Sequence, residues 1–116
     1  MDRAIRISHI VLSTREVADA VYDTLKSIDE REFLLKMFAK LARKYSACGS
    51  RNKGGDLGFL DYNTLAPELE QAAKVAPAGI VQPPVQSKFG YHVYLITEEQ
   101  ALGDTGVDGL AATSIR

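Results

Sequence analysis

The sequence predicts a mixed α+β domain in which helices surround a small sheet. Three observations lead there. Apolar residues alternate at period two near the start, from Ile5 to Val11, and an apolar strand-like run, Tyr91 to Thr97, lies near the end. Helical spacing governs three stretches between them. The resulting order of strand, helix, helix, strand, helix, extended segment and strand belongs to a mixed architecture rather than to a bundle or a sandwich.

The elements follow in chain order. Ile5, Ile7 and Val11 share one strand face with His9, while Ile10 and Leu12 make the other face apolar too, so the first strand is expected to be covered on both sides. Ser13 followed by Glu16 has capping-box spacing and predicts a helix start, with Val17, Val21, Leu25 and Ile28 as its buried stripe. Asp29 with Glu32 repeats that spacing, and Phe33, Leu34, Met37, Phe38, Leu41, Ala42 and Tyr45 supply a second stripe. Lys36, Lys40, Arg43 and Lys44 lie largely on its other faces, which reads as a solvated side complementing the helix dipole. Ser46 to Asp56 is polar and glycine-rich, hence loop, and Leu57 to Leu60 is a short strand. Thr64 and Pro67 open a third helix whose inner face is Leu69, Ala72, Ala73 and either Val75 or Ala76, and Pro77 with Gly79 ends it. Ile80 to Val85 is extended but holds Pro83 and Pro84, which cannot donate to a ladder, so it is an edge or a connector. A domain over residues 1–100 is expected, followed by a flexible tail over 101–116, since Gly103 to Arg116 is rich in turn-formers and lacks a period.

A chain of 116 residues fits one domain and excludes a two-domain enzyme with its own cofactor module. Fourteen Lys plus Arg against fifteen Asp plus Glu argue against nucleic acid or an anionic membrane as the main partner. The longest apolar runs fall far short of the roughly 20 residues of a spanning helix, and no signal peptide is read at the start. One cysteine cannot form an internal disulfide, and with two histidines it does not complete a closed structural zinc site. A reducing, cytoplasmic setting is the expectation.

His9, Cys48 and His92 are the residues with chemical potential. By themselves they suggest a thiol nucleophile with an imidazole base or a three-ligand zinc, but a lone strand histidine is more often a hydrogen-bonded core residue. Gly54-Gly55-Asp56-Leu57-Gly58 lacks the Lys-Ser/Thr pair of a phosphate cradle and precedes a strand, so it reads as a turn.

Five segments, in order, carry a denser signal: Ile7-Ser8-His9-Ile10-Val11-Leu12, Tyr45-Ser46-Ala47-Cys48-Gly49-Ser50, Gly54-Gly55-Asp56-Leu57-Gly58-Phe59, Leu65-Ala66-Pro67-Glu68-Leu69-Glu70-Gln71-Ala72 and Pro84-Val85-Gln86-Ser87-Lys88-Phe89-Gly90-Tyr91-His92-Val93. Over about residues 4–98 the chain resembles the parvulin-type peptidyl-prolyl cis/trans isomerases. The resemblance implies a four-stranded antiparallel sheet wrapped by about four helices. It also implies a polar floor of His9, Cys48, Ser87 and His92, with Leu57, Leu65, Leu69 and Phe89 around a proline pocket. The family usually has Met where this chain has Leu65 and Phe where it has Leu69, so the pocket stays apolar but lacks one aromatic wall.

These residue types suit rotation about an Xaa-Pro amide, whose barrier is roughly 20 kcal/mol. Raising a rate of about 0.01 per second to about 100 per second lowers that barrier by roughly 5.4 kcal/mol, which calls for neither a cofactor nor a covalent adduct. An apolar pocket grips the ring while polar groups hold the carbonyl that turns, favouring the twisted amide over both planar forms. Cys48 can attack, donate a weak hydrogen bond or shape the field, and a noncovalent role suffices. Catalysis and sheet stabilisation have equal standing for the two histidines. Substrates are expected to be unfolded or flexible proline-containing chains, and the protein a monomer. Phosphate-directed members of the family carry a long basic loop after the first strand, whereas Ser13-Thr14-Arg15-Glu16 offers one arginine, so recognition is expected not to depend on phosphorylation. The alternative is a noncatalytic peptide-binding or chaperone module of the same fold; a cysteine hydrolase or thiol redox enzyme has Cys48 alone in its favour.

Overall fold

Two long antiparallel strands, β1 (Arg3–Leu12) and β4 (Gly90–Ala101), form the centre of a four-stranded sheet. The computed structural model describes residues 3–61 and 64–101. Around the central pair lie α1 (Arg15–Lys26), α2 (Arg31–Tyr45), a 3-10 helix (Gly49–Lys53), β2 (Asp56–Phe59), α3 (Pro67–Val75) and β3 (Gln82–Ser87). The strand order is β2-β1-β4-β3, with every neighbouring pair antiparallel. The expected mixed fold with a four-stranded antiparallel sheet is observed, with three α-helices and one 3-10 helix among the described residues. The expected tail lies outside the described residues, except that Ala101 closes β4.

Alternation along β1 sorts its side chains between two cores. Ile10 and Leu12 join Val93 and Leu95 beneath α1 and α2, packed on Leu25, Leu34 and Phe38. On the opposite face Ile5, Ile7, Tyr94 and Ile96 pack against Leu69, Ala73 and Ala76 of the α3 segment. Coverage on both sides explains why the strand reads as nearly continuous apolar sequence. Full burial of a side chain such as Phe38 contributes about 2 kcal/mol or more to holding α2 on the sheet.

Several sequence expectations shift by a residue. The first helix is capped by Thr14 rather than Ser13: Thr14 is extended (φ −126°) and its hydroxyl accepts from Val17 N at 3.3 Å. The second is capped by Glu30 rather than Asp29, its carboxylate accepting from Phe33 N at 2.8 Å and Glu32 N at 3.1 Å. The longer glutamate arm reaches both orphan amides at once. Val17, expected in the buried stripe, is exposed, because the sheet covers the narrower stripe Ala18, Val21 and Leu25 and leaves Val17 beside a groove between α1 and α2. Phe33 and Tyr45 are likewise exposed while Leu34, Phe38 and Ala42 are buried. Of the two candidates ending the inner face of α3, Ala76 is buried and Val75 points out. Pro83 and Pro84 sit in β3 at the sheet's edge, where the register to β4 shifts between Gln82 and Val85. An edge strand accommodates their missing donors.

Arg3 ties the far end of the sheet to α3. Its guanidinium donates to the carbonyls of Ala73 (3.1 Å) and Ala76 and pairs with Glu99. Free carbonyls and the negative end of the helix dipole make that the place for a cation.

Candidate active site

Cross-strand register brings the two histidines together. Val11 stands opposite His92 and His9 opposite Tyr94, so His9 and His92 are diagonal neighbours on the face that carries α3. Both are buried, at 5% and 2% exposure, and their rings stack with centroids 5.2 Å apart. The Nδ1 atoms face each other at 3.1 Å, which requires one to carry a proton and the other a lone pair.

The network continues from the edge strand. Ser87 Oγ lies 2.6 Å from His92 Nε2 and also accepts from Phe89 N at 3.1 Å. With that amide hydrogen accepted, the hydroxyl is free to donate its own proton to His92, which then donates through Nδ1 to His9. His9 Nε2 is buried without a hydrogen-bond partner among the described residues, and it is the unspent polar atom of the set. Gly90 makes the hairpin's close approach possible: its φ is +133°, and a Cβ there would stand 2.6 Å from the Leu12 carbonyl oxygen.

Burial, reinforced by the field of the neighbouring imidazole, pulls His9 down to about 4. Burial also lowers His92, against the weaker opposite pull of Glu68. Both rings are therefore neutral at pH 7. A histidine held below its unfolded value of 6.5 gives stability that is present above pH 6.5 and lost as pH falls toward 4. From pH 7 to pH 5 the His9 contribution falls by about 2 kcal/mol. Asp56, held below its ordinary value by its hydrogen bond to Arg6, titrates beneath this window. Urea unfolding at the two pH values checks this: the midpoint drops at pH 5, and a pH-independent midpoint contradicts the buried neutral pair.

The third wall comes from the connection after α2. Buried Ser46 accepts from Val11 N at 3.0 Å and from Cys48 N at 3.3 Å, and Ala47 N donates to the Val11 carbonyl at 2.9 Å. These bonds occupy the β1 edge beyond the end of β2 and hold Cys48 beside the histidines. The glycine-rich turn completes the edge, the Gly55 carbonyl accepting from His9 N at 2.9 Å.

A cavity of about 320 Å³ opens above this floor. His9, Cys48 and His92 line it together with Leu57, Leu65, Leu69 and Phe89, so seven of the eight residues singled out in the sequence meet there. Ser87 is outside the lining and reaches it through His92. Leu69 is 1% exposed at the base, whereas Phe89 is 62% exposed at the rim with Lys88 Nζ 5.2 Å from its ring centre. Sequence reasoning missed Val11 as a wall and Ser46 as the group that positions Cys48. A serine directly after a helix end was the available signal, since its hydroxyl commonly bonds a nearby backbone amide.

Such a hollow is mostly apolar, floored by neutral polar groups, and suits a small ring attached to an amide. Comparison with known proteins agrees. The family model of the PPIC-type PPIase domain (rotamase) matches residues 9–98. The chaperone SurA of Chromobacterium violaceum is 38% identical over 91 residues, covering 76% of this chain and 21% of the relative. A solved structure of the SurA-like chaperones of Campylobacter jejuni, PEB4 and Cj1289, superposes with a TM-score of 0.79 at 33% identity, covering 87% of this chain and 40% of that one. The parvulin NmPin of Nitrosopumilus maritimus superposes with a TM-score of 0.66 at 33% identity, over 83% of this chain and 96% of that one. The chain spans between about a fifth and two fifths of the length of the first curated relatives it matches. Motifs, sheet topology and these similarities together establish that the chain belongs to the PPIC-type, or parvulin, peptidyl-prolyl isomerase domain family.

Proposed function

We propose that this domain is a peptidyl-prolyl cis/trans isomerase acting on proline-containing segments of unfolded or flexible polypeptides. The observation that carries it is the cavity itself, where Leu65, Leu69 and Phe89 face a ring-sized space above the neutral pair His9 and His92, with Cys48 beside them. The apolar side desolvates and grips the prolyl ring. The floor beneath it is neutral and held in shape by the hydrogen-bonded imidazole pair, so the cavity keeps the form that fits the twisted amide. No proton need be transferred and no bond to carbon is broken. Exchange NMR or a protease-coupled assay on a panel of Xaa-Pro peptides tests the reading: faster cis/trans exchange is expected, and no acceleration at micromolar protein rejects it.

Substrate recognition independent of phosphate is part of the proposal. It is supported by the link from β1 to α1, which consists of Ser13 and Thr14 alone and leaves no room for a basic loop. A matched pair of Ser-Pro and phosphoserine-Pro peptides tests this, with no preference for the phosphorylated one expected. The cytoplasmic setting and monomeric state expected from the sequence also belong to the proposal; cell fractionation and light scattering test them.

Cys48→Ser is expected to keep kcat/KM within about threefold, because rotation needs no thiol adduct; a loss of a thousandfold would assign the sulfur a nucleophilic role. A noncatalytic peptide-binding module is the second reading, favoured by Leu65 and Leu69 where the family usually has Met and Phe. It requires peptide binding without any change in exchange rate.

A further inference from the structure

The face of the sheet opposite the prolyl cavity carries a second hollow of about 320 Å³. It opens where β1 breaks register with both neighbours, between Ile7 and Ser8 toward β2 and between Arg6 and Ile7 toward β4. Ser8 lies in its lining and is 7% exposed, opposite Leu95 on the side facing α2. Its hydroxyl makes no hydrogen bond among the described residues and lies open to the hollow, where a donor or acceptor from outside can reach it. Leu35, Phe38 and Leu95 supply an apolar base, and Arg31 and Lys53 stand in the lining with them.

The charges in this hollow are unequally spent. Arg6 is engaged with both Asp56 oxygens, through Nε at 3.2 Å and through Nη2, and with Glu98 at 3.2 Å. Asp56 Oδ1 further accepts from Gly58 N at 2.9 Å. Those two carboxylates are thus already bonded. Lys53 makes no contact ion pair among the described residues, though its charge acts on Asp56 across the hollow, and Arg31 gives one hydrogen bond, to the Thr97 carbonyl at 2.9 Å. One arginine shared by two acids leaves a single negative charge, and two cations with open donor positions outweigh it.

From this arrangement we propose a second polypeptide-binding site, in which Ser8, Arg31 and Lys53 take the carboxylate of an acidic side chain, glutamate above all, whose methylenes lie on Leu35 and Phe38. An oxyanion matches the donors, since guanidinium, ammonium and hydroxyl all donate and a carboxylate only accepts. An apolar base beneath a cationic rim matches a charge carried on a short aliphatic arm better than a free inorganic ion. The site lies across the sheet from the histidines and does not depend on the prolyl reading.

The test is a titration of the ¹⁵N-labelled chain with acetyl-Gly-Glu-Gly-amide, which has no proline to engage the other cavity, at constant ionic strength. Saturable shifts of the Ser8, Gly54 and Lys53 amides are expected in the millimolar range, with the Cys48 and Gly90 amides unmoved. Ser8→Ala and Lys53→Ala should each weaken binding at least fivefold while leaving prolyl isomerisation at its original rate. Shifts no larger than those caused by sodium chloride, or equal in the variants, overturn the site. Saturation by inorganic phosphate but not by the peptide overturns its assignment to an acidic side chain.

Discussion

Gly55→Ala lowers folding stability by about 3 kcal/mol, a larger loss than nearly any surface substitution gives. Gly55 has φ +88°, where an L side chain is strained, and a Cβ there would stand 2.4 Å from the His9 carbonyl oxygen and 3.2 Å from Ala42 Cβ. The first of these neighbours is backbone of a central strand and cannot swing aside, so the turn itself must move. Doing so breaks the His9 N to Gly55 O bond and releases the segment that holds Cys48. Gly49→Ala is the control, because its Cβ would meet nothing within 4 Å and its backbone is unstrained. Urea midpoints for the two variants check the prediction. A large drop for Gly55→Ala with little change for Gly49→Ala is expected, and equal midpoints would refute the close approach.

The second large effect concerns the histidine pair. His92→Leu removes both the Nδ1 contact to His9 and the Nε2 contact to Ser87, leaving His9 Nδ1 buried and unpaired. About 2 kcal/mol of stability is expected to go with it, and the isomerisation rate with the loss of order around the cavity. His9→Leu combined with His92→Leu should be more stable than the single variant, since replacing both partners by apolar groups of similar shape leaves no orphaned atom. Activity in the double variant is expected to recover to within tenfold of the parent, because the apolar walls that grip the ring stay in place. Strictly additive destabilisation would refute the coupling between the two rings, and a double variant thousands of times slower than the parent would show that they act on substrate directly rather than by holding β1 and β4 in position.

Periodicity made the strands and helices legible, and where it erred the error is physical. Ser13 and Asp29 have the right type and spacing for caps, but the neighbouring Thr14 and Glu30 are the residues whose side-chain oxygens reach the free amides. Spacing by itself does not tell a helix's outermost apolar residue from its inner ones. By spacing, Val17 and Phe33 belong to the buried stripes, but the covering surface is too narrow to reach them and both are exposed. The site was legible for a different reason. Its members are scattered from His9 to His92, and neither period nor local spacing links them; the motif order did. Ser46 escaped notice because its contribution is a pair of bonds to backbone amides, which leaves no mark in sequence beyond a serine after a helix. Ser8 escaped because it reads as an interruption within an apolar strand.

The pairing of Arg3 with Ala101 has a mechanical consequence. The two ends of the described sheet lie on adjacent antiparallel strands, so tension applied across them separates β1 from β4 like a zipper, rung after rung, instead of shearing all rungs together. Little force is needed for that geometry. The first rungs to part are those beside Arg3, and the imidazoles sit near the opposite end, where Leu12 faces Tyr91. Pulled apart there, the sheet frays from Arg3 and Ala101 while the hollow beside the imidazoles is still intact.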